Sequence, residues 1–274
     1  MFFYKKNMER EEMLEKINSF FKQIPKDFSI LEEEINVSTQ IEYQKYKFKI
    51  INEEINQKEL FDKKKELFSD KISKDEKKKL LIQLAQIDDV KIFRTIEKFK
   101  NDLSDNDNLK DWAILSYQES KMLIESSLLE TNQVFISSGL GGRGSKLRYF
   151  SVFFSENKED FTKTQKKVIL SEFNSTAERE DSEIEKIDFY KGFATASVLI
   201  PFGKEVHIIF QESINLCNEL GSFIKQNIIV TNLKRFSEED IKGILKNEKS
   251  ISSLTGEETM RKYIEDNLDE LDNS

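Results

Sequence analysis

Apolar residues recur at helical spacing through the first 130 positions, and no glycine interrupts them. Leu14, Ile17, Phe20 and Phe21 form one stripe, which Pro25 ends because proline offers no N–H to a further helical turn. From Gln40 to Asp70 the chain mixes Lys and Glu and reads as a long solvated helix. Ser73 and Glu76 then stand at capping-box spacing before Leu80, Leu81 and Leu84. Asp88 opens the next expected helix, whose buried side carries Val90, Ile92, Phe93, Ile96 and Phe99. A third runs from about Leu109 to Glu130 with Trp112, Leu115, Met122 and Leu123.

After Glu130 the pattern changes to glycine, β-branched residues and short alternating runs. Strands are expected at Gln133–Ser137, Leu147–Phe154, Phe193–Ile200, Val206–Phe210 and Asn227–Thr231, with helices at Glu159–Phe173, Ser213–Phe223 and Glu238–Leu245. The charged run "STAEREDSEIEKI" reads as a connection, with more helix as the alternative. The fold class is therefore α+β, an all-α amino-terminal half followed by a mixed or antiparallel α/β sandwich with helices on one sheet face. The divisions are a helical domain over 1–129, an α/β domain over 130–250 and an acidic helix or tail over 251–274, opened by a Thr255/Glu258 capping box. "DDVKIFRTIEKF" followed by "NLKDWAILSYQES" resembles the paired helices of HEAT-like repeats, which implies stacked pairs with a concave partner-binding side.

Composition narrows the chemistry. A 38% hydrophobic content with 22 Phe supports a substantial core. No run approaches a membrane span and the amino terminus lacks a secretory apolar segment, so a cytoplasmic location without membrane contact is expected. One cysteine, Cys217, and one histidine, His207, cannot build a Cys/His zinc cluster, and no calcium-loop or H-E-x-x-H pattern is present. No metal and no cofactor are expected. His207 is read on a strand beside Val206 and Ile208, with Glu205 and Glu212 near it in sequence, and Cys217 as a buried thiol in a helix. The net charge of -8 argues against a basic surface overall.

One segment departs from that acidity. "SSGLGGRGSKLRYF", Ser137 to Phe150, holds four of the chain's nine glycines, and no acidic residue occurs from Thr131 to Ser155. Gly139, Gly141 and Gly144 satisfy G-x-G-x-x-G, but a strand follows where a dinucleotide site needs a helix N-terminus. Gly144-Ser145-Lys146 reverses the order that a Walker A loop requires, and the kinase partners V-A-I-K, H-R-D and D-F-G are missing. The remaining candidate is an anion-holding hairpin tip made of Gly139, Gly141, Gly142, Arg143, Gly144, Lys146, Arg148 and Tyr149, whose alternative is a plain flexible turn.

"SSGLGGRGSK" also resembles the GGQ loop of release-factor-type peptidyl-tRNA hydrolases through Ser137, Ser138, Gly139, Gly141 and Gly142. Arg143 stands where that family has its catalytic Gln, Leu140 where it has Pro, and Lys146 falls one residue early. The longer run from Leu109 to Phe150 resembles segments of bacterial proteins that carry no assigned function. The expectation is a non-enzymatic interaction protein that presents the basic hairpin to a phosphate-bearing macromolecule such as RNA or the ribosome. The alternative is a hydrolase acting at the loop on a peptidyl-tRNA-like or phosphorylated substrate. Either reading requires a macromolecular partner, protein or RNA, and neither fixes an oligomeric state.

Overall fold

The computed structural model describes residues 28–50, 56–246 and 249. The expected stripe at Leu14–Phe21 and the tail helix at Thr255 lie outside them. The helices are α1 (Val37–Ile50), α2 (Gln57–Lys63) with a 3-10 turn at Lys64–Phe68, α3 (Lys74–Ala85), α4 (Val90–Asp102) and α5 (Lys110–Leu129). Local chemistry sets their ends. The Ser73/Glu76 capping box is formed in full, and the Asp89 side chain accepts from the N–H groups of Lys91 and Ile92, one residue beyond the expected Asp88. Glu130 ends α5 in the left-handed region, at φ 53°.

The stretch read as one long solvated helix is divided, because Leu60 and Leu67 are turned into the core. The amino-terminal half is also not all-α. A short strand β1 (Phe28–Ile30) runs parallel to β2 (Val134–Ile136), and the residues after it, Leu31 and Ile35, enter the helical core. That core is one cluster around Trp112, which meets Tyr43 and Tyr46 in ring contacts. Tyr43 donates to Glu119, whose second carboxylate oxygen accepts from Lys47 at 2.7 Å, so the buried acid has partners on α1. HEAT-like stacking of helix pairs is not confirmed.

The remaining strands form one antiparallel sheet: β3 (Gly142–Arg143), β4 (Lys146–Ser155), β5 (Glu183–Tyr190), β6 (Phe193–Pro201) and β7 (Ile224–Thr231). Helix α6 (Lys163–Arg179) joins β4 to β5, and α7 (Val206–Glu219) joins β6 to β7. Order across the sheet is β7-β4-β6-β5, so the unit is a β-α-β-β-α-β split βαβ arrangement of ferredoxin-like type. The run Val206–Phe210, expected as a strand, is the start of α7. Its buried positions Ile209, Phe210, Ser213, Ile214 and Cys217 follow the helical period, which a five-residue window hides. Conversely the charged connection contains β5, where Ile184, Ile187 and Phe189 face the core while Glu183, Glu185 and Asp188 do not. A bulge between Ile184 and Lys186 breaks the plain alternation.

The two sheet faces are covered differently. On one, Phe153, Ala194, Ala196, Val198 and Ile200 pack against Ile169 and Phe173 of α6 and Phe210 and Ile214 of α7. On the other, Phe150, Val152, Phe193 and Ile229 meet Leu140 of the glycine segment, Phe236, and Ile241 of a short helix α8 (Glu238–Leu245). The glycine segment reaches that face through close backbone contact. A Cβ on Gly141, at φ +63°, would lie 2.3 Å from the Glu32 carbonyl oxygen, and one on Gly139 would lie 1.7 Å from that of Leu233. Gly144, at φ +59°, has open space around it.

Gly141→Ala is therefore expected to lose at least about 2 kcal/mol of stability, since left-handed strain adds to a clash with unyielding backbone. Gly144→Ala bears the strain alone and should lose about 1 kcal/mol. Urea denaturation of both variants checks the contrast.

Candidate functional site

The three cations of the hairpin are engaged within the fold. Arg143 donates to Glu183 at 2.5 Å and Lys146 to Asp181 at 3.1 Å. Arg148 makes a forked pair with Glu185, from Nε to Oε2 at 2.7 Å and from Nη2 to Oε1 at 3.0 Å, while its Nη1 donates to the Leu140 carbonyl at 2.7 Å. The acids come from β5 and the turn before it, far away in sequence and absent from the window that looked purely basic. Tyr149 faces the α6–α7 side of the sheet and is largely buried, and burial raises its phenol above the ordinary range. Ser138 donates to the Gly141 carbonyl and Ser137 to Gln40, so both serines hold the loop in place.

The same folding creates a site elsewhere. Between β5, β6 and α8 lies an open groove of about 510 Å³. Its apolar wall is Phe150, Tyr190, Phe236 and Ile241. Phe150 and Phe236 meet edge to face, and Tyr190 stacks on Phe193 at 5.0 Å, so the rings are held by neighbours. Its polar wall carries Glu185, Ser197 and Arg235, with Lys186, Asp188 and Glu238 also lining the groove. Ser197 donates to Glu185 at 3.1 Å and accepts from Arg235 Nη1 at 3.1 Å. Arg235 also reaches Glu34, from Nε at 3.2 Å and Nη2 at 2.7 Å. The chain Arg148–Glu185–Ser197–Arg235–Glu34 thus joins the hairpin, the sheet, the lead-in to α8 and the segment that follows β1. Arg148 is the chief cause that holds the Glu185 carboxyl below its ordinary value, so the acid stays ionised. At the foot of α8, Lys249 and the Ser237 cap lower Asp240 to about 2.

No family model matches the chain, and no curated protein matches it. Among solved structures, a candidate transposase from Deinococcus radiodurans R1 is similar over 38% of this chain and 92% of its own, with 8% identity and a TM-score of 0.33. A REP-associated tyrosine transposase bound to a REP hairpin is similar over 37% of this chain and 69% of its own, with 10% identity and a TM-score of 0.29. The resemblances read from the sequence find no counterpart among these neighbours. Both neighbours are described as transposases, not as helical-repeat, release-factor-type or ribosome-associated proteins. The reading as a non-enzymatic RNA- or ribosome-contacting protein is withdrawn with them, as is a hydrolase at the glycine loop. Arg143, Lys146 and Arg148 each have an acidic partner from β5 or the turn before it, so the segment is not the uncompensated basic patch that reading called for.

The other single residues form no site. His207 is exposed in the first turn of α7, 3.7 Å from Glu205, and does not stand on a strand. Cys217 is buried, and burial pushes its thiol up to about 12. Among the described residues no group of three or more His, Cys, Asp or Glu side chains could hold a metal ion, and no helix is long and apolar enough to cross a membrane. Sequence reading missed Arg235, Glu185 and Ser197. The alternation in "EIEKIDFY" was the available signal for Glu185, whereas nothing local marks Ser197 or Arg235.

Glu185 pairs with Arg148 where the side chains are 20% and 14% exposed. Glu185→Gln is expected to lose about 2 kcal/mol of stability at pH 7, because one charge is left half-buried without its partner. Since the folded value is below the ordinary 4.5, the pair's contribution is fully present above 4.5 and is lost as pH falls through the folded value. The stability difference between wild type and variant in denaturation should therefore narrow as pH falls below 4.5.

Proposed function

We propose that the chain binds a small zwitterion of amino-acid type in the groove between β5, β6 and α8. The observation that carries this reading is the joining of both charge signs with an apolar wall in one cavity. Arg235 lies on the groove with Asp188 and Glu238, beside the rings of Phe150, Tyr190 and Phe236. The volume falls within the range of roughly 300–1,000 Å³ typical of small-ligand sites.

Each part has a chemical role. Arg235 holds Ser197 through Nη1, and its Nε–Nη2 edge, which Glu34 occupies through a single oxygen, is the edge a ligand carboxylate would take. Asp188 pairs with Lys186 at 2.8 Å and Glu238 with Lys242 at 2.6 Å, all with exposed side chains. Such pairs are worth about 0–1 kcal/mol, so a ligand ammonium can displace a lysine at little cost. The lining contains three acids and two bases, which disfavours an anion without a positive group. A ligand side chain would lie on the ring wall.

Titration calorimetry against the amino acids, with matching carboxylic acids and amines as controls, tests the reading. At least one amino acid should bind, and its two singly charged analogues should bind at least about tenfold more weakly, the equivalent of 1.4 kcal/mol. Asp188→Asn should weaken binding by about the same factor while leaving the melting temperature unchanged, because that pair is exposed. If no zwitterion binds at millimolar concentration, or the analogues bind equally well, the reading fails.

A further inference from the structure

We infer that Glu34 is a built-in competitor for the groove: its carboxylate occupies the arginine that a ligand carboxylate must engage, so ligand binding and attachment of the segment around Glu34 oppose one another. This rests on the zwitterion reading and extends it to regulation.

Three observations support the exchange. First, Glu34 meets Arg235 through a single oxygen, Oε1, which takes both Nε and Nη2, an arrangement that an incoming carboxylate with two oxygens improves upon. Second, the pair is exposed, 40% at Arg235 and 45% at Glu34, so it is held loosely. Third, a released Glu34 has another cation at hand, since Arg148 Nη1 lies 3.9 Å from the same oxygen. Arg235 itself stays in position through Ser197, which does not compete for the ligand.

The consequence reaches beyond the groove. Glu34 belongs to residues 31–36, which leave β1, cross the glycine hairpin and enter α1. The segment keeps its backbone bonds, Leu31 N–H to the Ile136 carbonyl at 2.9 Å and Gly142 N–H to the Glu32 carbonyl at 3.4 Å, when Glu34 lets go. Ligand exchange at Arg235 therefore removes one side-chain tie between the sheet and the segment leading into the helices. Coupling of this kind is reciprocal: what loosens the tie favours the ligand, and the ligand loosens the tie.

The test compares two neighbouring substitutions in the full chain. Glu34→Gln and Glu33→Gln remove the same charge from the same segment, but Glu33 pairs with Lys100 on α4, away from the groove. Titration calorimetry with the amino acid that binds wild type should show Glu34→Gln tightening binding about three- to fivefold, the worth of an exposed ion pair. Glu33→Gln should match wild type. Unchanged or weaker binding by Glu34→Gln overturns the competition and leaves the zwitterion reading intact, as does equal tightening by Glu33→Gln, which would mark a general charge effect. Absence of any amino-acid binding to wild type overturns both. Amide exchange of residues 31–36 gives a second readout: ligand should speed it in wild type and leave it unchanged in Glu34→Gln, and no change in wild type overturns the exchange.

Discussion

Backbone meets backbone at Gly139 and Gly141, and the second face of the sheet is organised by that approach. The carbonyls of Leu233 and Glu32 lie where a side chain would begin, so three distant stretches, 31–34, 138–142 and 232–236, are drawn to one place. That convergence delivers Glu34, Arg148 and Arg235 together from positions with no neighbourhood in sequence. Arg148, mostly buried, then requires a fixed carboxylate, and the bulged strand β5 supplies Glu185. The polar wall of the groove thus follows from a steric condition met by two glycines.

Legibility from sequence tracked the range of the interaction. The Ser73 capping box and helix α8 depend on residues within four positions of one another, and both stand where the sequence placed them. The strand at Val206 failed because alternation over five residues satisfies two periods at once, and only Ser213, Ile214 and Cys217 separate them. β5 was missed for the opposite reason: its outward charges mask a three-residue apolar face interrupted by a bulge. β1 consists of three residues and exists only because β2 lies beside it, which no local pattern can announce.

The hairpin shows how a charge count along the chain differs from a charge in space. Arg143, Lys146 and Arg148 lie in a run free of acids, yet Glu183, Asp181 and Glu185 come from the turn and strand that fold alongside. An acidic protein supplies partners readily, so an isolated basic window within it is the place where internal pairing is most easily satisfied. Arg235 lines the groove, and its neighbour in sequence, Lys234, does not.

The groove exists because its cover is short. Helix α8 has 8 residues and so extends about 12 Å, at 1.5 Å per residue. β6 has 9 residues and runs about 30 Å at roughly 3.3 Å each. The opposite face is spanned by α6 with 17 residues and α7 with 14, long enough to seal it. Helix α8 packs Ile241 into the cluster with Phe150 and Val152, and Tyr190, Asp188 and Glu185 of β5 lie along the open groove beside it. Polar residues are favoured at such a margin, because water or a ligand must satisfy what the cover cannot reach. Mixed charges beside fixed rings are thus the composition that this length mismatch selects, and the same composition makes the margin suitable for a zwitterion.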